Sequence, residues 1–263
     1  MPDRTADAGA PAAPTRARTA APPRLILATD LDGTFLGGDD AQRDRLYDYL
    51  KAWRERLLLV FVTGRDLAFV GDLTADGRVP APDYVIGDVG TTVVHGATHA
   101  PVAAVQEPIE RAWGDSEGRI KAMLDGAPGL RPQPVVGGCR VSYYYDPDAL
   151  RPETVSAVEA AGFDVILSAG TFLDVMPRGV AKGPTLLRFL DALALDPGAV
   201  IVAGDTLNDL SLFETGLDGV AVGNSEPALL ERLGDRPRVH RSPHPGCAGI
   251  ADAIRRFGKT LED

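Results

Sequence analysis

Short apolar runs, each followed by glycine or polar residues, recur along the chain. Residues 25–28 form one such run, which ends just before Asp30, and residues 57–62 form another, which stops at Thr63-Gly64. Continuous apolar runs of this length predict strands that are buried on both faces. The same signal predicts three further strands, at residues 84–86, 199–202 and 219–222.

Between these runs, apolar residues recur at helical spacing. Leu46, Tyr49, Leu50 and Trp53 lie on one face of a predicted helix within a charged segment. We predict further helices at residues 66–73, 184–193 (with Pro184 in its first turn), and 207–214, and two more after residue 222. Strands that alternate with helices predict an α/β fold with a Rossmann-like, doubly wound parallel sheet.

The middle of the chain departs from this alternation. Residues 87–95 predict a strand pair with glycines at the turns, and residues 101–126 a helix. A β-favouring stretch at 135–145, a helix at 152–161 and a strand at 163–167 follow. We therefore predict an inserted α/β cap domain at residues 101–174, within a catalytic core formed by residues 24–100 and 175–263. Residues 1–23, mostly Ala, Pro, Thr and Arg, are expected to be a disordered tail.

Composition narrows the class of protein. The chain has 263 residues and a formal net charge of −10. An acidic protein lacks the basic face that neutralises phosphate backbones, so we expect no nucleic-acid partner. No apolar run approaches the roughly 20 residues that span a bilayer, so we expect no membrane partner. Cys139 and Cys247 are too few for a disulfide framework and match no zinc motif, which favours the cytoplasm. The sequence carries no signal of oligomeric state.

Two carboxylates follow the first predicted strand, in Asp30-Leu31-Asp32-Gly33-Thr34. Side chains just past a strand can face one cleft, and Gly33 permits a tight turn. Such a pair suits Mg²⁺, a hard cation that prefers oxygen ligands. One carboxylate could also act as a nucleophile while the other holds and returns a proton. A solvated turn is the alternative, because Asp and Gly are common turn residues.

Two further motifs suit phosphate. Thr63-Gly64 follows the second strand, where a hydroxyl and a backbone N–H can hydrogen-bond phosphate oxygens together with the first amides of the next helix. Lys182, beside Gly183, can neutralise both a phosphate and a nearby carboxylate. A helix cap at Thr63 and a solvated lysine are the alternatives.

A second acidic motif, Gly-Asp-Thr-Leu-Asn-Asp, occupies residues 204–209 after another apolar run. Asp205 and Asp209 could supply further metal ligands, with Asn208 helping to orient them. A capping turn is the alternative. All four motifs follow or adjoin predicted strands, and ligands bind at that edge of doubly wound sheets.

In this order, D-L-D-G-T, T-G, K-G and G-D-x-x-N-D resemble the haloacid dehalogenase-like superfamily of phosphotransferases, over residues 24–263. About 120 residues separate Thr63 from Lys182. This gap resembles the subclass with a large α/β cap between the second and third motifs. Gly-Asp-Val-Gly-Thr at residues 87–91 and the run at 173–180 are similar to sucrose-phosphatase-like members.

The resemblance implies a role for each motif residue. Asp30 would attack phosphorus and form an aspartyl-phosphate, and Asp32 would protonate the leaving oxygen and then deprotonate the hydrolytic water. The catalytic residues implied are Asp30, Asp32, Thr63 and Lys182, and the phosphate-binding residues are Thr63, Gly64, Lys182 and Asn208. The cofactor implied is Mg²⁺, bound by Asp30, Asp32 through its backbone carbonyl, Asp205 and Asp209.

The sequence thus predicts a Mg²⁺-dependent phosphatase that acts on a phosphorylated sugar or glycoside. A phosphomutase that uses the same aspartyl-phosphate is the alternative, ahead of a metal-dependent glycosyltransferase or a non-enzymatic binding module. The sequence leaves open which sugar or glycoside phosphate is the substrate. Expected substrate contacts are Arg65, Asp88, Arg140 and Tyr143.

Overall fold

The structure, a computed structural model, describes residues 22–135 and 138–262. Apart from residues 22 and 23, the predicted disordered tail at 1–23 lies outside the described residues. Within them, eleven strands form two sheets. The strands are β1 (Leu25–Thr29), β2 (Leu57–Val62), β3 (Tyr84–Gly87), β4 (Thr92–His95), β5 (Leu130–Pro132), β6 (Val141–Tyr145), β7 (Phe163–Ser168), β8 (Phe172–Pro177), β9 (Val200–Gly204), β10 (Asp218–Ala221) and β11 (Val239–Arg241).

The helices flank these sheets. They are α1 (Asp40–Ala52), α2 (Leu67–Thr74), α3 (Ala103–Trp113), α4 (Ser116–Leu124), α5 (Pro152–Ala160), α6 (Lys182–Ala192), α7 (Leu210–Phe213), α8 (Pro227–Leu233) and α9 (Gly246–Arg256). Among the residues the structure describes, no helix combines the length and the apolar character needed to cross a bilayer.

The larger sheet has the strand order β11-β10-β9-β1-β2-β3-β4, and only β4 runs antiparallel to its neighbour. β1 lies at the centre, where Ala28 pairs with Val60 of β2 and Val202 of β9. Every residue of these three strands is buried. Successive β1 residues alternate between two apolar clusters, Ile26 in one and Leu27 in the other. Helices therefore cover both faces, and the predicted doubly wound parallel sheet is confirmed.

The smaller sheet has the order β5-β6-β8-β7 and is antiparallel throughout. α4 packs on β6 and α5 packs on β7. A separate antiparallel sheet with its own helices fits the predicted α/β cap. β8 continues to Pro177, three residues beyond the predicted boundary at residue 174, so we propose to place the end of the cap after Pro177.

Several local predictions were wrong. The single helix expected at 101–126 is two helices, α3 and α4, separated at Gly114, which has φ of 55°. Residues 87–95 were expected to form a strand pair. They instead form a tight turn, Asp88–Gly90, and a single strand, β4, which pairs with β3. Of the expected stretch 135–145, residues 141–145 form a strand, the other described residues do not, and residues 136 and 137 lie outside the described residues. The prediction also missed β11, a three-residue strand between the last two helices.

Candidate active site

Three adjacent central strands deliver the motif residues to one edge of the large sheet. Asp30 directly follows β1, Thr63 follows β2, and Asp205 follows β9. The backbone N–H of Asp30 donates to the Ala203 carbonyl at 2.9 Å, which ties the first strand end to the third. Because neighbouring parallel strands end at the same edge, the motifs meet in a cleft although up to 175 residues separate them in sequence.

Lys182 is fully buried at the start of α6, and its ammonium group contacts Asp30 and Asn208, which line the cleft. Its Nζ donates to Asp30 Oδ1 at 2.7 Å, to Asp209 Oδ1 at 2.6 Å and to Asn208 Oδ1 at 2.8 Å. An ammonium group has three protons, so these three acceptors use all of them. The lysine therefore holds Asp30 in place, and a ligand oxygen would contact it by replacing one of these acceptors.

Asp30, Asp205 and Asp209 form a buried acidic cluster, with one carboxylate oxygen of each within 4.8 Å of the others. The second oxygen of Asp209 accepts the backbone N–H of Asp205 at 3.0 Å and of Thr206 at 3.1 Å. Three carboxylates stand against one ammonium group, an excess of negative charge that a divalent cation would offset. Oxygen ligands at this spacing fit a hard cation such as Mg²⁺.

Burial dominates the electrostatics of the cluster. It raises the pKa of the Asp30 carboxyl, while the charge of Lys182 opposes this shift and that of Asp209 adds to it. Burial, followed by the charge of Asp209, raises the pKa of Asp205 to about 7. Burial alone would lower the pKa of Lys182, but the charges and hydrogen bonds of Asp209 and Asp30 outweigh it and raise this pKa. Asp30 and Asp205 are thus destabilised in their charged forms, which a bound cation would relieve.

The carboxylate of Asp32 lies apart from the acidic cluster. Arg65 Nε donates to its Oδ2 at 2.8 Å and Arg65 Nη2 to its Oδ1 at 2.9 Å, and both side chains are about half exposed. Both residues line the cleft that also contains Asp30. The Asp32 side chain thus borders the cleft but lies outside the group of carboxylates that could ligate a metal.

The phosphate-binding candidates of the second motif take part in backbone bonds. Thr63 Oγ1 accepts the N–H of Arg65 at 3.1 Å, and the Thr63 carbonyl accepts the N–H of Val89 at 3.0 Å. Gly64 lines the cleft, as does Asn208, whereas the Thr63 side chain is fully buried beneath it. The structure therefore brings Gly64 and Asn208 to the cleft and places Thr63 behind them.

Arg140 joins the small sheet to the large one. Its Nη2 donates to Asp88 Oδ1 at 2.9 Å and to the Gly64 carbonyl at 3.2 Å, both in the core, while Nη1 donates to Asp174 Oδ1 of β8 at 3.1 Å. The side chains of all three charged residues are at most 10% exposed. Two of the expected substrate contacts, Asp88 and Arg140, are thus partners in a buried ion-pair network, although Arg140 also reaches the cleft.

The cleft between the sheets has a volume of about 320 Å³. Tyr143, expected to contact substrate, does not line it: the residue is 4% exposed and packs in the buried apolar cluster that includes Leu173 of β8. Side chains alternate across a strand, so Tyr143 faces away from the cleft while Asp174, paired with the neighbouring Ser142, faces it. The cap residues that do line the cleft are Gln133, Arg140, Ser168, Ala169, Phe172 and Asp174.

Sequence reasoning missed two residues that orient the acidic cluster. Thr34 Oγ1 donates to Asp205 Oδ1 at 2.9 Å. Asn224 Nδ2 donates to the Gly33 carbonyl at 3.0 Å, and Asn224 Oδ1 accepts the backbone N–H of Gly246 at 2.8 Å. Asn224 lies three residues beyond the end of β10, so its position after a parallel strand of the large sheet was the signal that could have identified it.

Gly33 explains the shape of the first motif. Its φ of 76° lies in the left-handed region that favours glycine, and a Cβ atom there would overlap Asp205 Oδ2. Asp30 is therefore followed by a turn that lets the first and fourth motifs approach each other closely.

A parallel sheet, a buried lysine among carboxylates at its edge and an inserted α/β cap together define a member of the haloacid dehalogenase-like superfamily. A family model described as sucrose-6F-phosphate phosphohydrolase matches residues 23–258. The chain belongs to this family.

Individual relatives agree with this assignment. The structure of the sucrose-phosphatase from Synechocystis, in complex with sucrose and phosphate, matches with a TM-score of 0.82 and 28% identity, over 90% of this chain and 98% of that one. A mannosylfructose-phosphate phosphatase from Agrobacterium fabrum is 31% identical over 90% of this chain and 98% of its own length.

A longer relative is also similar. A glucosylglycerol-phosphate synthase from Pseudomonas anguilliseptica is 42% identical over 89% of this chain but only 31% of its own length. The chain spans less than two thirds of this synthase and of the first plant sucrose-phosphatases that it matches.

Proposed function

We propose that the protein is a Mg²⁺-dependent phosphatase that hydrolyses a phosphorylated sugar or glycoside through an aspartyl-phosphate on Asp30. The observation that carries this proposal is the contact of Lys182 with Asp30, inside an acidic cluster at the edge of the parallel sheet. A carboxylate held this rigidly beside a cleft is positioned to attack a bound phosphoryl group.

The metal would be held by Asp30 and Asp205, with Asp209 behind them. Thr34 and Asn224 orient Asp205, and the Asp32 backbone carbonyl would add a ligand, as in the family mechanism. Mg²⁺ bound there would offset negative charge on the transferring phosphoryl group. Hydrogen bonds of this kind would keep the carboxylate of Asp205 in one orientation during the reaction. They support a dedicated metal site rather than a chance cluster of acidic residues.

In the first proposed step, a carboxylate oxygen of Asp30 forms a bond to phosphorus as the bond from phosphorus to the sugar oxygen breaks. Asp32 gives its proton to that sugar oxygen, which leaves as an alcohol. In the second step, water attacks phosphorus, its proton passes to Asp32, and the bond between Asp30 and phosphorus breaks. Inorganic phosphate leaves, and both carboxyl groups return to their starting protonation.

The phosphoryl oxygens would be held by groups at the ends of the strands. Gly64, whose N–H could donate, and Asn208 line the cleft, and Lys182 donates to Asn208 Oδ1. Thr63 would donate its hydroxyl proton toward the same oxygens. Donors that are fixed before the phosphoryl group arrives stabilise its developing charge without reorganisation.

The small sheet would select the leaving group. It contributes Gln133, Ser168 and Phe172 to the cleft, a mixture of polar and apolar groups that suits a sugar ring and its hydroxyls. Relatives are named for sucrose, mannosylfructose and glucosylglycerol phosphates. We therefore propose a phosphorylated glycoside, in which a second unit beyond the phosphorylated one reaches the cap.

The test is phosphate release from a panel of esters: sucrose 6F-phosphate, mannosylfructose phosphate, glucosylglycerol phosphate and glucose 6-phosphate. We expect turnover of at least one glycoside phosphate with Mg²⁺, loss of activity with a chelator, and loss by several powers of ten in Asp30→Asn. Asp48→Asn, an exposed Asp-to-Asn change on α1, should leave activity unchanged. Activity that survives Asp30→Asn would overturn the covalent mechanism, and isomerised ester without free phosphate would point to a mutase.

A further inference from the structure

The ion pair of Arg65 and Asp32 leads to an inference about the proposed phosphatase reaction. The inference rests on the proposed function. We infer that Arg65 is a positioning residue: it fixes the Asp32 carboxyl so that one oxygen faces the leaving group. The two parallel hydrogen bonds, of 2.8 and 2.9 Å, connect the guanidinium fork to both carboxylate oxygens. A bidentate contact of this kind sets the plane of the carboxylate as well as its distance.

Arg65 is itself held from three sides. Its guanidinium carbon lies 4.4 Å from the centroid of the Phe69 ring, which stacks against it. Its backbone N–H donates to Thr63 Oγ1, and its carbonyl accepts the N–H of Asp88 at 3.1 Å. The residue is therefore fixed by α2, by the end of β2 and by the turn after β3. A side chain supported in this way can define the position of its partner.

Asp32 needs such support because its own backbone is irregular. It lies in the turn after β1, where Asp32 and Gly33 depart from helical backbone angles, and its side chain is about half exposed. An exposed carboxylate on a turn would otherwise sample several rotamers. Small misplacement of a proton donor costs rate, because proton transfer requires hydrogen-bond distance to the leaving oxygen.

Leaving-group chemistry distinguishes this role from a structural one. A sugar alkoxide is a poor leaving group and needs a proton from Asp32, whereas p-nitrophenolate leaves without one. If Arg65 acts through Asp32, its loss will slow hydrolysis of a glycoside phosphate far more than hydrolysis of p-nitrophenyl phosphate. If Arg65 instead supports the fold or binds the phosphoryl group, both esters will be affected equally.

The experiment is a double-mutant cycle of Arg65→Met and Asp32→Ala, measured as kcat/KM on the best glycoside phosphate and on p-nitrophenyl phosphate. We expect Arg65→Met alone to lower kcat/KM on the glycoside phosphate about 10- to 100-fold, with Arg65→Lys in between. General acid catalysis contributes about 100- to 10,000-fold, and misplacing the acid should lose a part of that. In the Asp32→Ala background the same change should have an effect of about twofold or less, because the partner is gone. Arg78→Met, which removes an arginine that is also about half exposed and paired with Asp40, is the matched control and should change nothing.

Additive losses in the cycle, or equal losses on the two esters, would overturn the inference. A fall in activity below about twofold for Arg65→Met on the glycoside phosphate would overturn it too. Wild-type protein and Asp30→Asn in the same assay report on the proposed function itself. Failure of the proposed function therefore appears as an inactive wild type, whereas failure of this inference appears as an active wild type with no coupling.

Discussion

Replacing Arg140 by Met would leave two buried carboxylates without their cation. Asp88 and Asp174 would both lose a charge-assisted hydrogen bond, and the Gly64 carbonyl would lose a donor. Burial is already the largest influence on the Asp174 carboxyl, whose pKa it raises against the opposing charge of Arg140. Removing one partner of a buried pair costs about 3–5 kcal/mol, because the remaining charge stays buried and unpaired. At about 2–4 °C per kcal/mol for a chain of this size, the melting temperature should fall by about 6–20 °C.

The assay is urea denaturation followed by circular dichroism, with the melting temperature measured in parallel. Adding Asp174→Asn to the Arg140→Met variant should restore part of the lost stability, since one of the two stranded charges is then removed. A loss below about 1 kcal/mol, typical of an exposed pair, would show that the network does not hold the two sheets together as the distances indicate. A double variant no more stable than the single one would refute the stranded-charge explanation.

Two further predictions concern the acidic cluster. Gly33→Ala should raise the Mg²⁺ concentration needed for half-maximal activity at least about tenfold, because the new Cβ would displace Asp205. The control is Gly77→Ala. Gly77 has a similar φ of 73° but open space around it, so this change should lower stability without affecting the metal dependence. Equal effects of the two variants on metal dependence would contradict this. Asn224→Ala should raise the same Mg²⁺ concentration several-fold, measured by titration of activity, because it frees the Gly33 carbonyl and the N–H of Gly246. Unchanged metal dependence would show that Asn224 only supports the loop.

The fold of the core could be predicted because its strands carry a strong local signal. The predicted strand at 57–62 coincides with β2, and that at 84–86 ends one residue before β3 does. The cap was harder to predict. β8 contains Asp174, a charged residue within an apolar run, and its burial is tolerable because it pairs with Arg140 and accepts a hydrogen bond from Ser142 of the neighbouring strand. That pairing is a tertiary contact, which periodicity in one segment does not reveal.

The motif residues that follow strands could be placed relative to one another because parallel strands end at one edge. Whether a side chain turns into the cleft depends on details that the sequence does not display. Tyr143 illustrates this, since a register shift of one residue would have exposed it to the cleft instead of the cap core. Asp32 and Arg65 were both identified, but their mutual contact depends on the unusual turn at residues 31–35.

The groups that we propose to react follow β1, β2 and β9, three neighbouring strands whose positions are set by main-chain hydrogen bonds rather than by particular side chains. Many apolar residues can fill such strands without moving their ends. Substitutions among the apolar residues of the sheet are therefore compatible with an unchanged arrangement of the residues that follow its strands. This explains how a homologue that shares 28% of its residues with this chain can retain the fold at a TM-score of 0.82.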